Sequence, residues 1–124
     1  MSAGAALQQA IALRIGAIGD ISGVYDGPPA RAAFPYVAID AGSEGDWGHK
    51  SGEGREVLVA TTLWDDAPAR IHPLADAVEA AVLGTNLVEG WQLVSLTMTR
   101  RRIVRNVAGP WAAAVDFRAR LLRV

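Results

Sequence analysis

Hydrophobic and polar positions alternate along four stretches of the chain and recur at helical spacing along two others. Phe34, Tyr36, Ala38 and Asp40 alternate with Val37 and Ile39, the period-two pattern of a strand. Val57, Val59, Thr61 and Leu63 alternate with Leu58, Ala60, Thr62 and Trp64; neither set is charged past the first residues of the run, which predicts a central strand, Glu56 to Trp64, covered on both faces. Between them, Gly42 to Gly54 holds five glycines and no apolar period, and reads as a polar loop unable to fold alone, with Trp47 exposed in it. Trp91 to Val104 predicts a long strand, with Val94, Leu96 and Met98 on one face and Ser95, Thr97 and Thr99 on the other. Asn106 to Pro110 supplies a turn. Trp111, Ala113, Val115, Phe117, Ala119 and Leu121 then alternate with Ala112, Ala114, Asp116, Arg118, Arg120 and Leu122, the cleanest half-buried strand of the chain.

Leu7, Ile11, Ile15 and Ile18 form an apolar stripe that predicts a helix over residues 3–19, closed by Gly19-Asp20. Val24-Tyr25 is a short extended piece, followed by the turn and stiff connector Asp26-Gly27-Pro28-Pro29. Pro35 lacks a ladder donor and belongs at a sheet edge or a bulge. Ile71, Leu74, Ala75, Val78 and Val82 share one face of a second helix, with Asp65-Asp66 placed to cap its start, Pro68 in its first turn and Gly84 past its end. Pro73 conflicts with that helix and predicts a kink there or a start near Arg70. The order of elements gives an α+β fold: a mostly antiparallel sheet of four to five strands with two helices packed on one face. Without an internal repeat or a dividing linker, residues 1–124 read as a single domain.

Composition narrows the chemistry. Of 124 residues, 51% are hydrophobic and 20% charged, so one core can form; the absence of cysteine removes disulfides, thiol nucleophiles and zinc–thiolate sites. No secretory leader pattern opens the chain and no apolar run is long enough to span a bilayer, so a soluble protein without a membrane partner is expected. Charge is unevenly spread. Through Glu89 there are twelve acids and five bases; beyond it seven arginines stand against Asp116 alone. An acidic body with a basic sheet edge attracts either nucleic acid or another copy of itself.

Catalytic motifs are near misses. Gly48-His49-Lys50-Ser51 is no phosphate loop, because His49 separates glycine from lysine and no helix follows. There is no Gly-x-Ser-x-Gly elbow. His49 and His72 lack partners at ligand spacing, and Glu44, Asp46 and His49 form an acid–base trio only on paper. No enzyme activity, metal or cofactor is expected. Arg100, Arg102, Arg118 and Arg120, near Trp91 and Trp111, are the candidate surface: either a phosphate-tracking nucleic-acid-binding hairpin with aromatic platforms, or an edge that meets the acidic loop or helix of a neighbouring subunit. Adjacent arginines of Arg100-Arg101-Arg102 must point to opposite faces, and Trp111 is in phase with the core. The subunit reading is favoured.

Phe34-Pro35-Tyr36-Val37, a loop carrying Asp46-Trp47 and Lys50, and a strand ending in Leu63-Trp64 before an alanine-rich helix resemble the tail terminator or tail completion proteins of long-tailed phages, prophages and gene transfer agents. Val24-Tyr25-Asp26, Pro28-Pro29, the opening helix and the arginine-bearing final strands extend the resemblance over almost the whole chain. It implies a structural virion protein: a hexameric ring on the head-proximal end of the tail tube that stops tube polymerisation and offers the head–tail joining surface. The implied partners are further copies of the chain, the tail tube protein, the head–tail connector protein and, transiently, DNA passing through the ring. The implied location is the tail of a virion or phage-like particle, after assembly from the host cytoplasm. The family's motif fixes no interface residues, so Asp46, Trp47, Lys50, Arg100, Arg102, Arg118 and Arg120 are candidates for subunit or tube contact from this sequence alone. Trp47 is either a docking hot spot or a side chain folded back over the sheet.

Overall fold

The computed structural model describes all residues, Met1–Val124. Seven elements follow in order: α1 (Ala3–Gly16), β1 (Gly23–Asp26), β2 (Tyr36–Asp46), β3 (Gly54–Asp65), α2 (Pro68–Leu83), β4 (Trp91–Val104) and β5 (Trp111–Arg123). The strands form one sheet in the order β1-β2-β3-β5-β4. Only the β1–β2 pair is parallel; the other three neighbours are antiparallel. This is the α+β fold that the pattern predicts.

α1 is set by its stripe and its start. Leu7, Ile11 and Ile15 are fully buried, and the Ser2 hydroxyl accepts from the Ala5 N–H at 3.1 Å, satisfying one of the free donors of the first turn. The helix ends at Gly16 rather than near Gly19, and Ile18 lies in the turn beyond it. Its first turn lies against β2: a side chain at Gly4 would come within 2.6 Å of the Ala41 carbonyl oxygen, and the Gly4 N–H donates to Glu44 Oε1. Glycine here lets helix and strand backbones approach.

α2 runs from Pro68 to Leu83 with Pro73 inside it, so the later start near Arg70 does not occur. Its buried face is the predicted set, Ile71, Leu74, Ala75, Val78 and Val82. The expected aspartate cap is replaced by another device. Ala67 is the N-cap residue and has no side chain to accept, while Asp65, fully buried at the end of β3, accepts from the Ala67 N–H and from Arg70 Nε at 2.9 Å and Nη2 at 2.6 Å. One carboxylate thereby ties the last residue of β3 to the first turn of α2.

Both helices pack on the same side of the sheet, and their stripes meet Val37, Ile39, Val57, Val59, Leu63, Val115, Phe117, Ala119 and Leu121 in one hydrophobic cluster. β3 is central, as its pattern indicates, but it is covered on one face only. Val57, Val59, Thr61 and Leu63 are buried, whereas Leu58 is 49% exposed, Ala60 is exposed, and Thr62 and Trp64 are half-buried. The glycine-rich segment also departs from expectation. β2 continues through Gly42, Ser43, Glu44, Gly45 and Asp46, pairs with Leu58 to Arg55 of β3, and closes in a tight turn where His49 and Gly52 exchange backbone hydrogen bonds. Glycine raises the entropic cost of ordering but does not prevent pairing once β3, fixed by its buried face, offers its edge. Pro35 precedes β2, so no ladder donor is missing.

β4 carries two irregularities, between Leu93 and Ser95 and between Met98 and Arg100. Each admits an extra residue and resets which side the following residues face. Across from the buried Leu121, Ala119, Phe117, Val115 and Ala113 stand Leu93, Leu96, Met98, Arg101 and Ile103. Val94 therefore does not share a face with Leu96 and Met98 as strict alternation predicts.

Burial alone raises the pKa of Asp65, but the Arg70 guanidinium and the Ala67 N–H outweigh it and hold the carboxyl below its usual range. The stability this adds is complete above the unfolded-state pKa of about 3.9 and is lost as pH falls through the lower folded value. Replacing Asp65 with Asn should cost about 2 kcal/mol at neutral pH. It should also flatten the loss of stability below about pH 4, as read from urea unfolding at a series of pH values.

Candidate functional site

With the helices on one side, the other side of the sheet is an uncovered surface built from alternate residues of each strand. β2 contributes Tyr36, Ala38, Asp40 and Ser43; β3 contributes Glu56, Leu58, Ala60, Thr62 and Trp64. β5 adds Ala112, Ala114, Asp116, Arg118, Arg120 and Leu122, and β4 adds Ser95, Thr97, Arg100, Arg102 and Val104. At the β1 end, Tyr25 meets Tyr36 edge-on at 6.0 Å and Phe34 stacks on Tyr36 at 5.8 Å. A shallow depression in the middle is lined by Asp40, Ser43, Leu58, Ala60, Thr99 and Asp116.

The four predicted arginines share this face, because the second bulge of β4 puts Arg100 and Arg102 on the side of Arg118 and Arg120. Arg101 goes the other way. Its Nη1 lies 2.7 Å from Asp76 and 3.3 Å from Glu79 of α2, and Nη2 donates to the His72 carbonyl. The hydrogen bond to Asp76, assisted by Glu79, raises its pKa further above an already high value. Arg101 therefore holds the β4 edge to α2 and stays charged.

The remaining arginines divide into engaged and free. Arg120 Nε lies 3.0 Å from Glu56, and its guanidinium sits 5.7 Å from the Trp47 ring centroid. Trp47 is half-buried with its ring beside Arg120, the folded-back one of the two positions that the sequence leaves open. Arg123 meets Glu53 and covers Trp91, and Arg105 covers Trp111, so neither tryptophan is a free stacking platform. Arg100, Arg102 and Arg118 are exposed, and no salt bridge involves them.

The hairpin end holds the other candidates. Asp46 Oδ1 accepts from the Gly48 N–H, fixing the turn, and Lys50 sits exposed at the tip. Glu44 points to the helix side, toward the Gly4 N–H and Arg55, away from His49, whose Nδ1 accepts from the Ser51 N–H. The acid–base trio does not assemble. No group of three or more His, Asp or Glu side chains is placed to hold a metal ion, and no helix is long and apolar enough to cross a membrane.

The family model described as tail completion protein gp17 matches residues 4–122. The chain belongs to that family. Among solved structures it is similar to a chain of the virion of a native gene transfer agent particle, with 26% identity, a TM-score of 0.65, and coverage of 96% of this chain and 93% of that one. No curated protein matches it. The family and that virion likeness make this a structural protein of a phage-type tail. Sequence reasoning missed Asp40 as a member of the arginine face. The signal was present in the period-two pattern, which puts Asp40 in phase with Tyr36 and Ala38.

The two sides of β3 should respond oppositely to one substitution. Leu58→Thr should change the stability of the monomer by no more than about 0.5 kcal/mol. Val59→Thr, its neighbour on the covered side, should cost about 1–3 kcal/mol by burying an unpartnered hydroxyl. Thermal and urea unfolding of the dilute protein read both.

Proposed function

We propose that residues 1–124 act as one domain that assembles into a hexameric ring on the head-proximal end of a phage-like tail tube, ends tube polymerisation and presents the surface on which the head connector docks. The observation that carries this reading is the sidedness of the sheet: a helix-covered face that completes the core, and an open face with free arginines, free acids and exposed apolar residues. A ring needs a head-to-tail interface, in which one patch meets a different patch of the next copy. Capping then follows from complementarity, since one rim repeats the contacts of a tube ring and the other lacks what another tube ring would need.

The hairpin from Asp46 to Gly54 suits contact with the tube. It extends β2 and β3 at the end of the sheet farthest from the start of α2, is braced by Trp47 against Arg120, and carries Lys50 at its tip. The partners in this reading are other copies, the tail tube protein and the head–tail connector protein; the protein resides in the host cytoplasm before assembly and at the head-proximal end of the tail after it.

A nucleic-acid role draws support from Arg100, Arg102 and Arg118, which lack acidic partners. Asp40 and Asp116 stand among them on the same face, and Glu56 engages Arg120. Such a mixed surface fits brief contact with DNA moving through a lumen better than a tight phosphate-tracking site.

Light scattering after size exclusion over a concentration series, with negative-stain imaging, should give ring-shaped particles of hexameric mass, either free or on the ends of purified uncapped tail tubes. Tubes mixed with the protein should stop elongating. Monomer at every concentration together with continued elongation would overturn the capping role. Tight duplex DNA binding that falls steeply with salt, without rings, would favour the nucleic-acid reading.

A further inference from the structure

Among the strand residues left out of every internal salt bridge, two exposed groups of opposite charge lie toward opposite edges of the sheet, with the half-buried Asp116 of β5 between them. Arg14, Asp20, Arg31, Lys50, Glu89 and Arg105 are unpaired outside the strands. Arg100, Arg102 and Arg118 remain on the β4–β5 edge; Asp26, Asp40 and Asp46 remain on the β1–β2 edge, and all six are exposed. A single cross-strand row makes the relation sharp. Asp40 pairs with Ala60, Ala60 with Asp116, and Asp116 with Arg100, so Asp40 and Arg100 are the two ends of one row and face the same, uncovered side.

Both ends of that row are unpaired edges. β4 is a 14-residue edge strand without proline, a long stretch of unused backbone donors and acceptors. On the other side β1 guards β2 only from Tyr36 to Ile39. Gly27, with φ of 79°, donates to the Ile39 carbonyl and the chain turns away, so from Asp40 onward β2 is itself the edge. α1 meets Ala41 and Glu44 there while Asp40 stays exposed. β2 and β4 run in opposite directions within the sheet. Rotation of a second copy about an axis along the strands therefore brings β4 beside β2 antiparallel, the more favourable pairing.

We infer that neighbouring copies join edge to edge, β4 of one adding to the free half of β2 of the next, with Arg100 set against Asp40, so that the sheet runs continuously from subunit to subunit. The inference rests on the ring reading above and names its interface. Unlike edges pair head-to-tail, and such pairing closes into a ring or runs on as a filament according to the rotation at each step. It also covers the long β4 edge, which in the isolated chain is protected by its two bulges and its arginines.

The test reverses each charge and then both. Asp40→Arg leaves a copy with a base at both ends of the row and Arg100→Asp a copy with an acid at both ends, so each alone should assemble at least about 100-fold more weakly than wild type, free or on tail tubes. The double variant carries the pair reversed and should recover. An equimolar mixture of the two single variants should recover too, because every contact in an alternating ring again joins opposite charges. Circular dichroism and melting of each variant exclude misfolding, relevant because Asp40 Oδ1 accepts from the Gly42 N–H in the β2 bulge. If Asp40→Arg does not fold, the cysteine-free chain permits another arm: Asp40→Cys with Arg100→Cys should yield a ladder of oxidised multimers that neither single variant gives. Rings that form normally from both single variants would overturn the edge pairing and leave the ring reading standing, as would a loss of DNA or connector binding alone. A wild-type chain that never assembles, even on tubes, would overturn both.

Discussion

Two helices can cover a five-stranded sheet once. Strands about 4.8 Å apart make a sheet roughly 20 Å across, and two helices of about 10 Å diameter laid side by side span that width on one face. The chain places its long apolar side chains accordingly, with Leu7, Ile11, Ile15, Ile71, Leu121 and Phe117 all in the one layer between helices and sheet. Everything on the other side of the strands is left to water or to another molecule. The surface that gives this tail protein something to dock is thus a direct outcome of how few helices it has.

Legibility in the sequence followed how closely each strand kept to strict alternation. β5 was readable residue by residue because no bulge interrupts it, and from Ala113 to Leu121 its odd positions are the buried ones. β4 was not, because two inserted residues change the phase within it and no local composition marks where they fall. The hairpin was misread for another reason. Five glycines report the cost of ordering a segment, whereas β3, a strand fixed by distant contacts, decides whether that cost is met. The uncharged outward side of β3 was read as buried because apolarity at Leu58 and Trp64 is a property of the chain that the monomer leaves unused.

The candidate surface was half visible. Spacing alone groups Arg100 with Arg102 and Arg118 with Arg120 and splits the triplet Arg100-Arg101-Arg102, but that the two pairs share a face follows only from the second bulge of β4. What spacing could not supply was the partner of each charge. Arg101 is consumed by Asp76 and Glu79, and Arg120 by Glu56, through contacts across 22 or more residues of chain. The free charges emerge only after that subtraction, and a row such as Asp40 to Arg100 exists only once the strand order is known.

The bulges of β4 also set where this strand can change length. Removing the unpaired residue at either one, Val94 or Thr99, would straighten the ladder and leave every other side chain facing as it does now. A deletion elsewhere in the strand must be absorbed by erasing a bulge, which turns over each residue between that bulge and the gap. Variation in length among descendants of this sequence is thereby channelled to two positions, and the arginine surface is buffered against gain or loss of a residue there.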